Sequence, residues 1–325
     1  MYILSIVYSL ITKIRNWFYD KNLIKIEKVD NVNVICIGNI VVGGTGKTPC
    51  VQYYANKYAS LGKKVAVISR GYKGKRTVDP LIISDGKKIL ASVTESGDES
   101  YTHALNLKVP VVVGVNRYRA ILLAKKEFNI DTVILDDGFQ HRKLYRDKNI
   151  VLIDAINPFG NNNLLPKGKL REGLYALNRA NEFIITKSDN ISNEQKDEIV
   201  KKLSTYNKKI SFAIHKPLKL CSFFNNEIID FNMIQGKNIL IFTSIENPIS
   251  LKNSINNYNP NKIIIYEKRD HSDFYNIDFV KIDKIIEKNN IDYVIITEKD
   301  HVKIKKIDKN IEKFYIFKIK FEIME

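Results

Sequence analysis

The chain has 325 residues, 44% of them hydrophobic, and carries a formal charge of +16 at neutral pH. That is enough apolar material for one large or two moderate domains with proper cores, which excludes a disordered polypeptide. The positive charge suits nucleic acid, an anionic membrane surface or a phosphorylated substrate, but it comes with a general richness in Ile and Asn and selects none of these by itself.

The three cysteines, Cys36, Cys50 and Cys221, are far apart and lie in no paired-ligand spacing. Neither a disulfide framework nor a zinc site is indicated, and a reducing cytosolic setting fits best.

Residues 2–19 have helical periodicity. Ile3, Val7, Leu10, Ile14 and Trp17 form an apolar seam, widened by Leu4, Ile6, Ile11 and Phe18, while Ser5, Ser9, Thr12 and Asn16 fall on the opposite side. The uninterrupted apolar stretch is well short of the ~20 residues that span a bilayer, and no small-residue cleavage site comes after it. Two compatible readings remain. The helix lies in a membrane interface, with Lys13, Arg15, Trp17, Tyr19 and Lys21 near the headgroups, or it packs on its own domain.

The rest of the chain is organised around residues 34–49. An apolar run ending at Ile37 passes into a turn containing Gly43, Gly44, Thr45 and Gly46, and then into Lys47 and Thr48 at a helix start, with Pro49 allowed in the first turn. This is the layout of a phosphate-binding loop. Glycines let backbone N–H groups curl round a phosphate, the helix N-terminus adds positive partial charge, Lys47 reaches the outer phosphates and the Thr48 hydroxyl suits Mg²⁺. Val41 stands where the strict pattern has its first glycine, yet Gly43, Gly44 and Gly46 preserve the cradle. A nucleoside triphosphate is the default ligand.

After a helix over 51–59 come short β-branched runs at 65–68, 110–113, 132–135, 150–153 and 183–185, with helical stretches between several of them. This alternation predicts a mostly parallel sheet covered on both faces, in which ligands gather at the carboxyl ends of the strands. The polar residues there are the site candidates: Ser69, Arg70 and Tyr72; Asp98 and Glu99; Asp136, Asp137, Gln140 and His141; and Asp154. Asp136 and Asp137 come after four apolar residues, the form of a Walker B strand end that holds Mg²⁺ directly or through water. Asp98 and Glu99 open a helical stretch, where sequence alone reads them as N-terminal capping.

Between 206 and 220 the alternation lapses. Beyond it, runs at 238–242, 262–266 and 293–296 with intervening helices make a second, smaller α/β lobe. Residues 314–323 alternate like a half-exposed strand, which pairs with 210–214 as a two-stranded hinge between the lobes.

Taken together, these motifs make the chain resemble the tetraacyldisaccharide 4'-kinases, the lipid A 4'-kinases of Gram-negative bacteria. The matching pieces are residues 15–20, Gly38 and Asn39 with the loop 43–49, Ser69 to Lys73, Gly97-Asp-Glu99, Asp136-Asp-Gly-Phe-Gln-His141, Leu164 to Glu172, Asp270 and His271 with Phe274, and Thr297-Glu-Lys-Asp300. The resemblance implies a P-loop NTPase-type fold and transfer of the ATP γ-phosphate, with Mg²⁺, to the 4'-hydroxyl of an acylated glucosamine disaccharide 1-phosphate. It places the protein as a monotopic, peripheral enzyme at the cytoplasmic face of the bacterial inner membrane, on an anionic surface, with no nucleic acid and no obligate protein partner. The implied divisions are an interfacial helix (1–20), a kinase core (21–209) and a hinge with the smaller lobe (210–325).

The resemblance also implies roles. The aspartate matching Asp98 is the general base, supported by the histidine matching His271, and Lys47 acts on the phosphates. Glu99 stands with Thr48, Asp136 and Asp137 at the metal. Arg70, Tyr72, Arg117, Arg119, Gln140, His141, Arg171 and Glu172 are candidates for substrate or phosphate contacts, with Glu172 also a candidate for arranging metal or donors. One departure stands out: where relatives usually carry a glycine-containing Ile-x-Asn-Pro motif, this chain has Ser244 and Glu246 before Asn247 and Pro248, so the local shape of the second lobe is expected to differ.

Two rivals belong to other classes. A P-loop regulatory GTPase or metal-insertion protein draws support from Thr186-Lys-Ser-Asp189, a faint form of the guanine signature with Thr186 in place of asparagine. A nucleic-acid-binding ATPase is suggested only by the charge, for no basic helix with interleaved aromatics is visible and an anionic lipid surface accounts for the charge as well.

Overall fold

The computed structural model describes residues 1–269, 272, 274–304 and 306–324. The chain divides into two compact units, one comprising Met1–His215 and Phe321–Glu325, the other Lys216–Lys320.

In chain order the first unit contains α1 (Tyr2–Asp20), β1 (Asn33–Gly38), α2 (Lys47–Ser60), β2 (Val65–Ser69), β3 (Leu81–Ser84), α3 (Val93–Ser96), α4 (Asp98–Asn106), β4 (Val111–Val113), α5 (Arg117–Phe128), β5 (Thr132–Asp136), β6 (Lys148–Asp154), β7 (Glu182–Thr186), α6 (Asn193–Ser204) and the start of β8 (Lys209–Ser222). The strand order is β8-β7-β6-β1-β5-β2-β4-β3. All neighbours run parallel except the edge pair β3 and β4. The parallel core agrees with the β-branched runs, each of which became a strand. β3 was not legible, because four residues behind Pro80 carry too little alternation to be told from a loop.

The period of two splits the buried residues between the faces of the sheet. Val34 and Cys36 of β1, with Val133 and Leu135 of β5, pack under Ala120, Ile121 and Ala124 of α5 and Ile199 and Leu203 of α6. Ile35 and Ile37, with Ile134, face Cys50, Val51, Tyr54 and Ala55 of α2 and Ala104 of α4. Strands buried on both faces read as near-continuous apolar runs, and each fully buried Val, Leu or Ile contributes about 1.5–3 kcal/mol. Cys36, Cys50 and Cys221 are free and buried, serving as small apolar residues.

The second unit holds the rest of β8, β9 (Ile228–Ile229), β10 (Asn238–Thr243), α7 (Pro248–Asn256), β11 (Lys262–Glu267), α8 (Asn276–Asn289), β12 (Tyr293–Thr297), α9 (Glu298–His301) and most of β13 (Phe314–Met324). Strands β11, β10, β12 and β13 form a parallel set. Leu240, Phe242, Val294 and Ile296 pack with Ile282 and Ile286 of α8, while Ile239, Ile241 and Ile295 pack with Leu251 and Ile255 of α7. β8 and β13 carry the chain from one unit to the other and are neighbours in the strand order.

The Ser244 departure has a local explanation. The fully buried Asp300 accepts hydrogen bonds from the Ser244 backbone N–H at 2.9 Å, its hydroxyl at 2.8 Å and the Thr243 hydroxyl at 2.5 Å, and it caps α9 with Thr297. A serine at 244 adds a donor to a buried carboxylate, so the motif 297–300 is a structural brace in this chain.

α4 begins where Gly97 adopts φ 80° and ψ 151°, a region open essentially to glycine alone. A Cβ there would also meet the Tyr72 carbonyl oxygen at 2.2 Å. Gly62 has a similar φ of 77° with nothing within 4 Å. Gly97→Ala is therefore expected to cost at least about 1–3 kcal/mol from backbone strain, and clearly more than Gly62→Ala, because only Gly97 adds a clash with fixed backbone. Urea unfolding of the two variants checks this; equal costs would mean that the Tyr72 approach is not constraining.

Candidate active site

The loop between β1 and α2 is gripped from behind. Gly46, in the left-handed region, is the N-cap of α2, and Lys47 is its first residue. The Asn39 amide donates to the Thr45 hydroxyl at 2.8 Å, the Thr186 hydroxyl to the Thr45 carbonyl at 3.0 Å, and Lys187 Nζ to the Gly44 carbonyl at 2.8 Å and to Asp154 at 2.5 Å. These side chains hold the loop backbone from the sheet side at the α2 N-terminus, and a glycine-rich loop that leads into a helix start is the setting in which phosphate binds. Thr186 and Lys187 of the guanine-like motif are thus engaged with the loop itself.

In front of the loop the two adjacent carboxylates differ in environment. Asp136 closes β5, is buried, and places Oδ2 3.1 Å from His103 Nε2 of α4, while its Oδ1 has no partner among the described residues. Asp137, at φ 49°, is one-third exposed; its carboxylate accepts two hydrogen bonds from Arg171 Nη1, at 2.8 and 2.9 Å, and lies 3.8 Å from Lys47 Nζ. Burial raises its pKa, but Lys47, Arg171 and Arg117 outweigh that and hold it below the usual carboxylate range.

An orphaned anionic oxygen beside a phosphate loop fits a hard divalent cation. Among the described residues no three His, Cys, Asp or Glu side chains form a ready-made cage. Mg²⁺ takes one or two protein oxygens and completes its shell with phosphates and water. Thr48, in the first turn of α2, supplies the other candidate oxygen.

The remaining candidates separate. Gln140 donates to the Asn39 carbonyl at 2.9 Å. Arg117 is buried at the start of α5 and donates to the Val115 carbonyl; burial, then Arg70, lowers its pKa to about 10. Arg119, two residues on, is exposed. Arg70 and Tyr72 line an open cleft of about 410 Å³ with Lys73, Arg76 and Asp79. Asp98 and Glu99 form the first turn of α4. Glu172 is turned away from the loop: it is fully buried, and its oxygens accept from Arg15 at 2.5 Å, Asn16 at 3.0 Å and Arg179. A carboxylate so occupied has no oxygen for a metal, so of the two roles expected for Glu172 these bonds fit the arranging of donors and not the metal. His271 lies outside the described residues.

Sequence reasoning missed His103 and His215. A lone histidine within a helix carries no spacing that names its partner; only the packing of α4 on β5 brings His103 to Asp136. His215 sits against the loop, and a Cβ on Gly46 would come within 2.7 Å of its Nε2, an atom without a partner among the described residues.

Burial, aided by Lys187, pushes His215 down to about 4, and burial, aided first by Arg117 and Arg146, does the same to His141. Both rings are neutral at physiological pH. Because each folded pKa lies below the unfolded value, the unfolded chain binds more protons between about pH 6.5 and 4, so their contribution is full above that window and is lost as pH falls through it. Stability should therefore decline on acidification from pH 7 to 5, and His215→Asn should flatten the decline. Urea unfolding at the two pH values reads this; an identical slope in the variant would show that His215 titrates normally.

The chain as a whole matches the sequence model of the family described as LpxK, tetraacyldisaccharide-1-P 4'-kinase, over residues 1–325. The tetraacyldisaccharide 4'-kinase of Halothermothrix orenii is 39% identical, with 97% of this chain and 85% of that protein covered. That of Elusimicrobium minutum is 35% identical, with 93% and 81% covered. Among solved structures, LpxK from Aquifex aeolicus in complex with ATP superposes with a TM-score of 0.75 at 29% identity, over 99% of this chain and 93% of that one. On the full-length match, these identities and the phosphate-loop architecture, the chain belongs to the tetraacyldisaccharide-1-P 4'-kinase family.

Proposed function

We propose that this chain is an ATP-dependent kinase that transfers the γ-phosphate to the 4'-hydroxyl of a tetraacylated glucosamine disaccharide 1-phosphate in lipid A biosynthesis. The observation that carries this reading is the convergence of Lys47, Asp137 and Arg171 before the α2 N-terminus, in a chain of this family. ATP as donor is supported by the ATP complex of the Aquifex aeolicus protein. The GTPase reading is not favoured, since the family and the named relatives are tetraacyldisaccharide 4'-kinases and Thr186 stands where the guanine signature has its base-contacting asparagine.

Phosphoryl transfer needs positioning and charge stabilisation rather than a covalent protein intermediate. The loop amides seat the phosphates, Lys47 meets the outer ones, and Arg171 adds charge beside them. Mg²⁺ would be held by Thr48 and Asp136, with Asp137 and Glu99 as further candidates, and when bound would neutralise phosphate charge. Asp98 takes the proton of the attacking hydroxyl, and His271 orients and tunes it. The α4 helix supports this assignment, for it begins at Asp98 and its His103 bonds Asp136. Arg70, Tyr72 and Arg117 are assigned to the sugar and phosphate groups of the acceptor.

Membrane attachment rests on an inversion in α1. Its polar residues Ser5, Thr12 and Asn16 are buried against the unit, whereas Ile3, Leu10 and Trp17 are 75%, 58% and 52% exposed. A helix that packs through its polar side and offers its apolar side to solvent suits an acylated substrate at a lipid interface. No helix among the described residues is long and apolar enough to cross a membrane. We assign the protein to the cytoplasmic face of the inner membrane, held peripherally on anionic lipid.

The function is tested by following label from γ-labelled ATP to the purified disaccharide 1-phosphate in detergent. Lys47→Ala should lower kcat by about two to three orders of magnitude in a folded protein. Asp98→Asn and His271→Gln should each lose a comparable amount, and the double variant little more, because paired groups are non-additive. No label on the disaccharide would sink the reading, and multiplicative losses would separate His271 from Asp98.

Attachment is tested with Leu10→Ser plus Trp17→Ser, which leaves the buried side of α1 untouched. Sedimentation with anionic phospholipid vesicles should show a severalfold weaker partition than for the unaltered chain. Unchanged partition would remove α1 from the interface.

A further inference from the structure

Arg171 is held from two sides. On one, residues 169–171 run antiparallel to the lead-in of the phosphate loop: the Arg171 N–H donates to the Ile40 carbonyl at 2.8 Å, the Val42 N–H donates to the Lys169 carbonyl at 2.8 Å, and Leu170 bridges Val41. On the other side stands α1. The Tyr8 hydroxyl donates to the Arg171 carbonyl at 2.9 Å, and the Ser5 hydroxyl to the Leu164 carbonyl at 2.8 Å. The next residue, Glu172, is fully buried, where Arg15, Asn16 and Arg179 surround its carboxylate. Asn16 is itself fixed, its carbonyl accepting from Arg142 Nη1 at 2.9 Å, and Arg142 also pairs with Asp20 at 2.6 Å.

A buried carboxylate that loses a donor keeps its desolvation penalty, so this network has one low-energy arrangement. The peptide between Arg171 and Glu172 cannot shift without breaking a contact to α1 or to the loop. The Arg171 guanidinium, bonded to Asp137, inherits that constraint.

We propose that Tyr8 and Asn16 of α1 are positioning residues for phosphoryl transfer, setting Arg171 against Asp137 and the phosphate loop through the Arg171 carbonyl and the buried Glu172 carboxylate. The helix that presents the apolar face thus aligns the catalytic cation as well. This rests on the reading that Arg171 serves the transferring phosphate.

The test is a double-mutant cycle on kcat with detergent-dispersed substrate, with thermal midpoints recorded alongside. Asn16→Ala should lower kcat by about tenfold, the loss that a misplaced charge-assisted contact brings. Tyr8→Phe, which removes one hydroxyl and no volume, should lower it severalfold without unfolding. In an Arg171→Ala background both kcat losses should vanish, while any shift in thermal midpoint persists, since a merely structural effect does not pass through Arg171. Unchanged kcat in Tyr8→Phe and Asn16→Ala, or losses that multiply with that of Arg171→Ala, would overturn the proposal. Full activity of Arg171→Ala alone would instead overturn the role given to Arg171 and remove the basis of the proposal with it.

Discussion

A phosphate-binding loop works only if its amides are left facing the ligand, and amides without partners do not stay in place unaided. In this chain the restraint comes from polar side chains behind the loop. Asn39, Thr186 and Lys187 engage the Thr45 hydroxyl and the carbonyls of Gly44 and Thr45, and Asp154 balances the lysine charge. These partners sit at the ends of β6 and β7 or just beyond β1, so the parallel order β7-β6-β1 is what delivers them. The sheet is in this sense the clamp of the loop, and the buried apolar interiors of its strands give the clamp rigidity.

The same sheet end separates two chemically identical neighbours. Asp136 ends β5 in a buried position and meets a histidine; Asp137 turns into the left-handed region and meets Lys47 and Arg171. One backbone reversal places one carboxylate among donors of positive charge and leaves the other with an oxygen unpaired among the described residues. Division of labour between paired carboxylates arises from environment rather than from residue type.

The N-terminal helix reverses the usual logic of amphipathic packing. Its attachment to the unit is built from hydrogen bonds and ion pairs to Glu172, Leu164, Arg171 and Arg142, which are directional and therefore fix orientation. Its apolar residues, free of that duty, remain available to a lipid phase. The short path from Asn16 through Glu172 to Arg171 joins the helix with the exposed apolar side to the side chains before the phosphate loop.

The phosphate loop, the strand runs at 65–68, 132–135 and 150–153, the carboxylate pair and the amphipathic first helix were all legible in the sequence, because each is a local pattern of glycines or of apolar spacing that the backbone itself obeys. Sequence also marked Asp98 and Glu99 as a helix start, and the joint occurrence of these motifs with those around Arg171 and Asp300 pointed to the family. Tertiary structure alone decided which side of α1 is buried, that Glu172 faces that helix rather than the loop, that His103 meets Asp136, and that His215 lies against Gly46. His103 and Asp136 stand 33 positions apart and Asn16 and Glu172 stand 156 apart, while the burial of α1 depends on which face of the helix meets the unit. Such pairings are fixed by strand order and helix packing, and neither leaves a periodic trace in the residues that meet.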